Sequence, residues 1–166
     1  LVAFWVAINH PERVRRLVLA CTAARVGSEE AWLTRVRAVR EGGTEAIADM
    51  VMERFFSAGF QERDPQTVAR YRQALAQTPD LGYIGSCLAL ARTDLRGQVR
   101  QVRNPTLVLI GEQDEATTPA QMQEQFEALP HATQMQLDGA GHLANVEVPE
   151  AFAAAVLDHL TADARA

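Results

Sequence analysis

Two short loops hold residues whose types and spacing could do chemistry. The first, "GEQDEATTP", places Asp114 just after Gly111. The second, "DGAGHLANVEVPEAF", presents His142 behind Gly139 and Gly141. A carboxylate beside an imidazole is the back half of a nucleophilic triad. The Asp accepts from one ring nitrogen, fixes the tautomer and stabilises the imidazolium. The other nitrogen is then free to take a proton from a nucleophile. Each residue also has an ordinary reading. His142 could be a loop histidine bonded to nearby backbone, and Asp114 a turn carboxylate holding its own N–H groups. Glu112 and Glu115 lie close to Asp114. Asp138 is an alternative partner for His142, although its place just before the histidine suits support of the turn.

The elements around these loops must bring them together. Leu1 to Asn9 reads as a helix apolar on all faces, hence buried. Pro11 ends it, and "RLVLACT" reads as a short buried strand. From Ser28 to about Val102 the pattern is helical only, with about four short helices. Ser28 is an N-cap followed by Glu29 and Glu30, and Gly42-Gly43 ends that helix. Thr44 caps the next, with Ile47, Met50, Val51 and Phe55 on its apolar face. Asp64-Pro65 starts a third, carrying Val68, Tyr71 and Leu75, and Pro79 separates a fourth. "TLVLIGEQD" is again a buried strand. Thr118-Pro119 opens a helix with Met122, Phe126 and Leu129 in phase. "TQMQLDGAGH" is a strand of alternating character, and Pro149 starts a last helix with Phe152, Val156 and Leu160 in phase. Strands alternating with helices imply an α/β fold: about three parallel strands with flanking helices. Function in such sheets sits at the carboxyl ends of the strands, where both loops fall. One strand-helix-strand unit separates Asp114 from His142 and makes them neighbours.

Composition excludes several classes. The net charge is −5, and the arginines are spread along helices without forming a basic stripe, so no nucleic-acid partner is implied. No apolar run approaches the ~20 residues of a membrane span, so no membrane partner is implied either. Cys21 and Cys87 fit no disulfide framework and no metal spacing, as expected of reduced thiols in the cytoplasm. Cys21 follows a strand near the expected site. It reads as a small buried residue, since a nucleophilic role would need a lowered pKa and a nearby base. His10, His131 and His159 read as structural or solvated.

"GEQDEATTP" followed by "GAGHLANVEVPEAF" resembles the acid and histidine loops of the α/β-hydrolase superfamily, whose triad order is Ser, Asp, His. The opening "LVAFWVAINHPERVRRLVLACTAA" and "AWLTRVRAVREGG" are similar, more narrowly, to the 3-oxoadipate enol-lactonases of aromatic catabolism. The resemblance implies a partial hydrolase core over residues 1–27 and 103–166 and a helical cap over 28–102. It also implies that the apolar opening helix follows a G-x-S-x-G-G nucleophile elbow, so that the serine and the oxyanion donors lie ahead of Leu1. Ser28, Ser57 and Ser86 stand in no such turn: a helix cap, a loop after aromatics and a helix interior.

The implied reaction is hydrolysis of 3-oxoadipate enol-lactone to 3-oxoadipate, with His142 as general base and Asp114 orienting it. No metal or organic cofactor is implied. Other capped hydrolases, such as esterases and C–C bond hydrolases, share the same loops. In the lactonases, cap residues close over a substrate with a free carboxylate. Arg35 would bind that carboxylate and Trp32 would wall the pocket. The alternative is a cap-core tryptophan beside a solvated arginine. A chain without the preceding strands would leave the edge of "RLVLACT" unpaired and the helix of Leu1, Phe4, Trp5 and Ile8 without cover. The isolated chain is therefore expected to self-associate and to lack catalysis.

Overall fold

The computed structural model describes residues 1–162. Residues 163–166 of the expected core segment lie outside the described residues. The chain opens with α1 (Val2–Asn9), whose Phe4 and Ala7 are fully buried, whereas Val2, Ala3 and Trp5, expected to be buried, are exposed. A 3-10 turn at Pro11–Arg13 leads into β1 (Leu17–Ala20). Five α-helices follow: α2 (Glu29–Gly42), α3 (Ala48–Phe55), α4 (Ala58–Arg63), α5 (Pro65–Ala76) and α6 (Asp80–Arg92). Next come β2 (Thr106–Gly111), α7 (Pro119–Ala128), β3 (Ala132–Leu137), α8 (Ala144–Glu147) and α9 (Pro149–Thr161). The strands form one parallel sheet in the order β1-β2-β3, with Leu17 opposite Thr106 and Thr106 opposite Ala132.

Strand β2 is central, and every one of its residues is buried. Its side chains alternate between two layers, as the pleat requires. Val108 and Ile110 join Phe4, Leu19 and Met122 on the side of α1 and α7. Leu107 and Leu109 join Leu137 on the other side, where Phe152 and Val156 of α9 pack. The helices between β1 and β2 have a core of their own, with Val36, Val39, Val51, Phe56, Phe60 and Ile84 in one cluster.

Local signals explain most helix ends. Ser28 Oγ accepts from Ala31 N at 3.1 Å, and Gly43, with φ +70°, ends α2. Asp64 caps α5 by accepting from Thr67 N, with Pro65 at the first helical position. Thr118 and Gln121 form a reciprocal capping box on α7.

Several expectations need correction. The helical stretch contains five α-helices where about four were expected. The unanticipated one, α4, is a single short piece that turns only Phe60 inward, so it has no apolar period to read. Ser57, read as a loop residue, is its N-cap. Thr44 caps no helix: its hydroxyl donates to the carbonyls of Ala76 and Thr78, and its N–H donates to Asp80 Oδ1. Met50, Tyr71 and Leu160, expected on apolar faces, are exposed. Strand β3 does not alternate, because Thr133–Gln136 are all exposed. It is an edge strand, and its neighbours cover it fully only at Leu137.

Among the described residues no helix is long and apolar enough to cross a membrane.

Candidate active site

The loops after β2 and β3 meet at the carboxyl edge of the sheet. Glu112 N donates to Leu137 O at 3.1 Å, and Gln113 N donates to Ala140 O at 2.8 Å. The Glu112 carboxylate accepts from Gly139 N at 2.7 Å. Gly139 has φ +67°, a left-handed turn that a glycine makes without steric cost.

This contact sets Asp114 against His142. His142 Nδ1 lies 2.9 Å from Asp114 Oδ2, and the Asp114 side chain is fully buried. The other carboxylate oxygen accepts from Ala116 N and Thr117 N, each at 2.8 Å. One oxygen thus holds the turn and the other lies against the imidazole. Asp138, the alternative partner, is exposed. With Asp114 ionised, Nδ1 carries the proton and Nε2 is left as an acceptor. The imidazole also packs on Phe55 of α3, with ring centroids 4.7 Å apart.

His142 forms part of the wall of a cavity of about 330 Å³ between the sheet edge and the helices α2, α3 and α6. Leu1, Trp32, Arg35, Arg54 and Phe55 share that wall. Trp32 and Arg35 stand together, with the guanidinium 4.9 Å from the centre of the indole ring. The indole N–H donates to Val26 O at 2.5 Å, which fixes the ring. Arg35 reaches the Tyr83 hydroxyl only at 3.5 Å, and among the described residues no carboxylate pairs with it. Arg54 donates to the main-chain oxygen of Glu115 at 3.0 Å. No Asp or Glu belongs to the described wall, so the cavity's fixed charge is positive.

Both cysteines line the cavity, and both thiols are held in the neutral form. Burial, reinforced by the negative charge of Asp114, pushes Cys21 up to about 12. Burial also pushes Cys87 up, against the opposing pull of Arg35. A neutral thiol is a poor nucleophile, so Cys21 is not an activated one. Cys21 stands at φ +46° and directs its Sγ at the Gly141 carbonyl. Each serine is engaged elsewhere: Ser28 caps α2, Ser57 meets Glu147, and Ser86, although in the cavity wall, donates to Gly82 O. Among the described residues no three His, Cys, Asp or Glu side chains converge as a metal would need.

The structure places Asp114 against His142, and Trp32 and Arg35 in the cavity wall that His142 shares. Sequence reasoning missed Arg54, Phe55, Ser57 and Glu147. Arg54 and Phe55 adjoin an apolar run and looked like ordinary helix-face residues. Glu147 carried one signal, a carboxylate between Val146 and Val148.

Residues 1–149 match the family model described as alpha/beta hydrolase fold. Two curated relatives come from Acinetobacter baylyi. 3-Oxoadipate enol-lactonase 2 is 41% identical over 156 residues, covering 94% of this chain and 58% of the relative. 3-Oxoadipate enol-lactonase 1 is 32% identical, covering 92% and 57%. The crystal structure of the enol-lactonase from Burkholderia xenovorans LB400 superposes with a TM-score of 0.93 at 38% identity, covering 97% of this chain and 62% of that one. The chain thus spans less than two thirds of the length of each.

Proposed function

Because the chain belongs to the alpha/beta hydrolase fold family, we propose that it supplies the acid, the histidine and the substrate cap of a serine hydrolase. Its substrate would be a small anionic lactone, 3-oxoadipate enol-lactone, opened to 3-oxoadipate. The observation that carries this reading is the cavity in which the Asp114-held His142 shares a wall with Arg35, Arg54 and no carboxylate. The names of the two Acinetobacter relatives support the choice of substrate. The buried, unpaired thiols support a cytoplasmic enzyme.

The serine would be carried by residues ahead of Leu1. Leu1 itself lies in the cavity wall, which supports a nucleophile delivered beside it. In the proposed reaction, His142 Nε2 takes the serine proton as the hydroxyl attacks the lactone carbonyl. Asp114 holds the ring and stabilises the imidazolium. Backbone N–H groups from the same preceding segment hold the oxyanion. Ring opening expels an enolate, which takes the proton back from the His142 imidazolium and becomes the ketone. Water activated by His142 then releases the acyl group and restores the serine. Arg35, stacked on Trp32, pairs with the substrate's free carboxylate before and throughout these steps.

The test is a substrate panel assayed on the intact polypeptide, together with any residues encoded ahead of Leu1. Preferential turnover of the anionic enol-lactone over neutral esters is the expected result. Equal or better turnover of neutral esters, or of C–C substrates, assigns the cavity to another capped hydrolase.

A further inference from the structure

Glu147 is a buried carboxylate that the proposed chemistry does not use. It ends α8 and is 5% exposed. No cation pairs with its carboxylate among the described residues; Arg63 donates only to its main-chain oxygen. A buried charge of this kind persists only when hydrogen bonds replace its water. Three donors do so here. Oε1 accepts from Gly141 N at 3.0 Å and from Ser57 N at 3.1 Å, and Oε2 accepts from Ser57 Oγ at 2.5 Å.

The donors have a common feature. Gly141 immediately precedes His142. Ser57 lies in the turn between α3 and α4, two residues beyond Phe55, the ring that packs on His142. On the other side of the histidine, Leu143 N donates directly to Phe55 O at 3.0 Å. The two residues flanking His142 are thus both tied by their N–H groups to one turn of the inserted helices, Leu143 directly and Gly141 through Glu147. The fit leaves no room for a side chain at position 141, where a Cβ would meet Glu147 Oε1 and Ser57 N at 2.8 Å each.

We infer that Glu147 is a positioning residue that, through Gly141 and Ser57, fixes the His142 backbone against the α3–α4 turn. It touches no reacting atom. Its role is to make the cap turn, as well as the sheet, a reference for the imidazole. The kinetic part of this inference rests on the hydrolase reading above.

The experiment uses the intact polypeptide and the variants Glu147→Ala, Glu147→Gln and Ser57→Ala. A Gln can offer its carbonyl oxygen to both N–H groups and turn its amide toward Ser57 Oγ, keeping the geometry without the charge. The expected result for Glu147→Ala is a fall in kcat of about 100-fold with KM changed by less than about threefold, the signature of a misplaced catalytic group. Glu147→Gln recovers kcat to within about fivefold of the parent. The spectroscopic readout is the far-downfield proton resonance of the His142 Nδ1–Asp114 bond, expected to weaken or shift in Glu147→Ala and return in Glu147→Gln. An Ala variant with parental kcat and resonance overturns the inference, and so does a Gln variant that recovers neither. If Glu147→Ala does not fold, Ser57→Ala, which removes one of the three bonds, is read in its place by the same criteria. If the parent hydrolyses no ester or lactone, the hydrolase reading fails, and the resonance alone decides the role of Glu147.

Discussion

Gly111 and Gly141 approach so closely that a Cβ on Gly111 would lie 2.3 Å from the Gly141 carbonyl oxygen. Gly111 ends β2, just before the loop that carries Asp114, and Gly141 lies in the loop that carries His142. Backbone contact at this point is what lets the short reach of an aspartate close on an imidazole.

Gly111→Ala should therefore be costly. The obstruction is backbone, which cannot swing aside as a side chain can. Overpacking of this kind removes about 3 kcal/mol or more of stability and forces the two loops apart. Urea unfolding of the intact polypeptide measures the loss, and an Ala variant of parental stability would show that the approach is looser than described.

Asp114→Asn keeps the shape of the acid loop but presents an uncharged amide to His142. The amide can retain the Ala116 and Thr117 bonds only by turning its NH2 toward Nδ1, which selects the wrong tautomer. Activity should fall by about 10⁴-fold, the scale seen when a triad carboxylate becomes an amide. Single-turnover assay on the proposed substrate is the check. A loss below tenfold would remove Asp114 from the chemistry.

Arg35→Ala should act on binding and selectivity. Losing a charge-assisted bond to a carboxylate costs about 1.5–3 kcal/mol, or roughly tenfold to a hundredfold in kcat/KM for an anionic lactone. Neutral esters should be little affected. The ratio of the two kcat/KM values is the measurement, and an unchanged ratio places the carboxylate elsewhere.

Cys21 gives an alkaline signature. Its thiol moves from the ordinary value of 9.0 up to about 12 on folding. Above pH 9.0 the unfolded chain releases this proton while the folded chain keeps it, so the unfolded state binds fewer protons and stability falls as pH rises. The contribution is complete below 9.0 and lost as pH climbs through about 12. The chain contains no lysine, which leaves few other groups titrating there. Cys21→Ala should flatten the fall in urea midpoint between about pH 8 and about pH 11 relative to the parent. Equal slopes in both proteins would contradict the buried thiol's role.

The 166-residue chain by itself should self-associate. Among the described residues β1 pairs only with β2, leaving its other edge open. Beside it, Val2 is 79% and Trp5 49% exposed on α1. An open edge and an apolar helix face both favour association. Size-exclusion chromatography decides: a monodisperse monomer that unfolds cooperatively is the contrary outcome.

The sequence alone determined the parts whose signals are local. The short apolar run over 106–111, set between Pro105 and a polar loop, reads as a buried strand. Ser28, Asp64-Pro65, Thr118-Pro119 and Pro149 marked helix starts through capping and ring constraints that act within a few residues. Gly139 and Gly141 marked a tight turn, and the order of Asp114 and His142 around one strand-helix-strand unit placed both at one sheet edge. The sequence favoured Asp114 as the partner of His142, but only the tertiary structure brings one carboxylate to the imidazole, because the distance between the two loops is set by their long-range approach. It alone decided that Arg35 stacks on Trp32 in a cavity shared with His142, since a solvated arginine has the same helical spacing. The fate of β3 also lay beyond the sequence, because exposure at a sheet edge depends on what packs there. Glu147 shows the same limit most plainly. Its partners Ser57 and Gly141 are set by long-range approach, and a buried carboxylate is recognisable only once the groups that replace its water have come together.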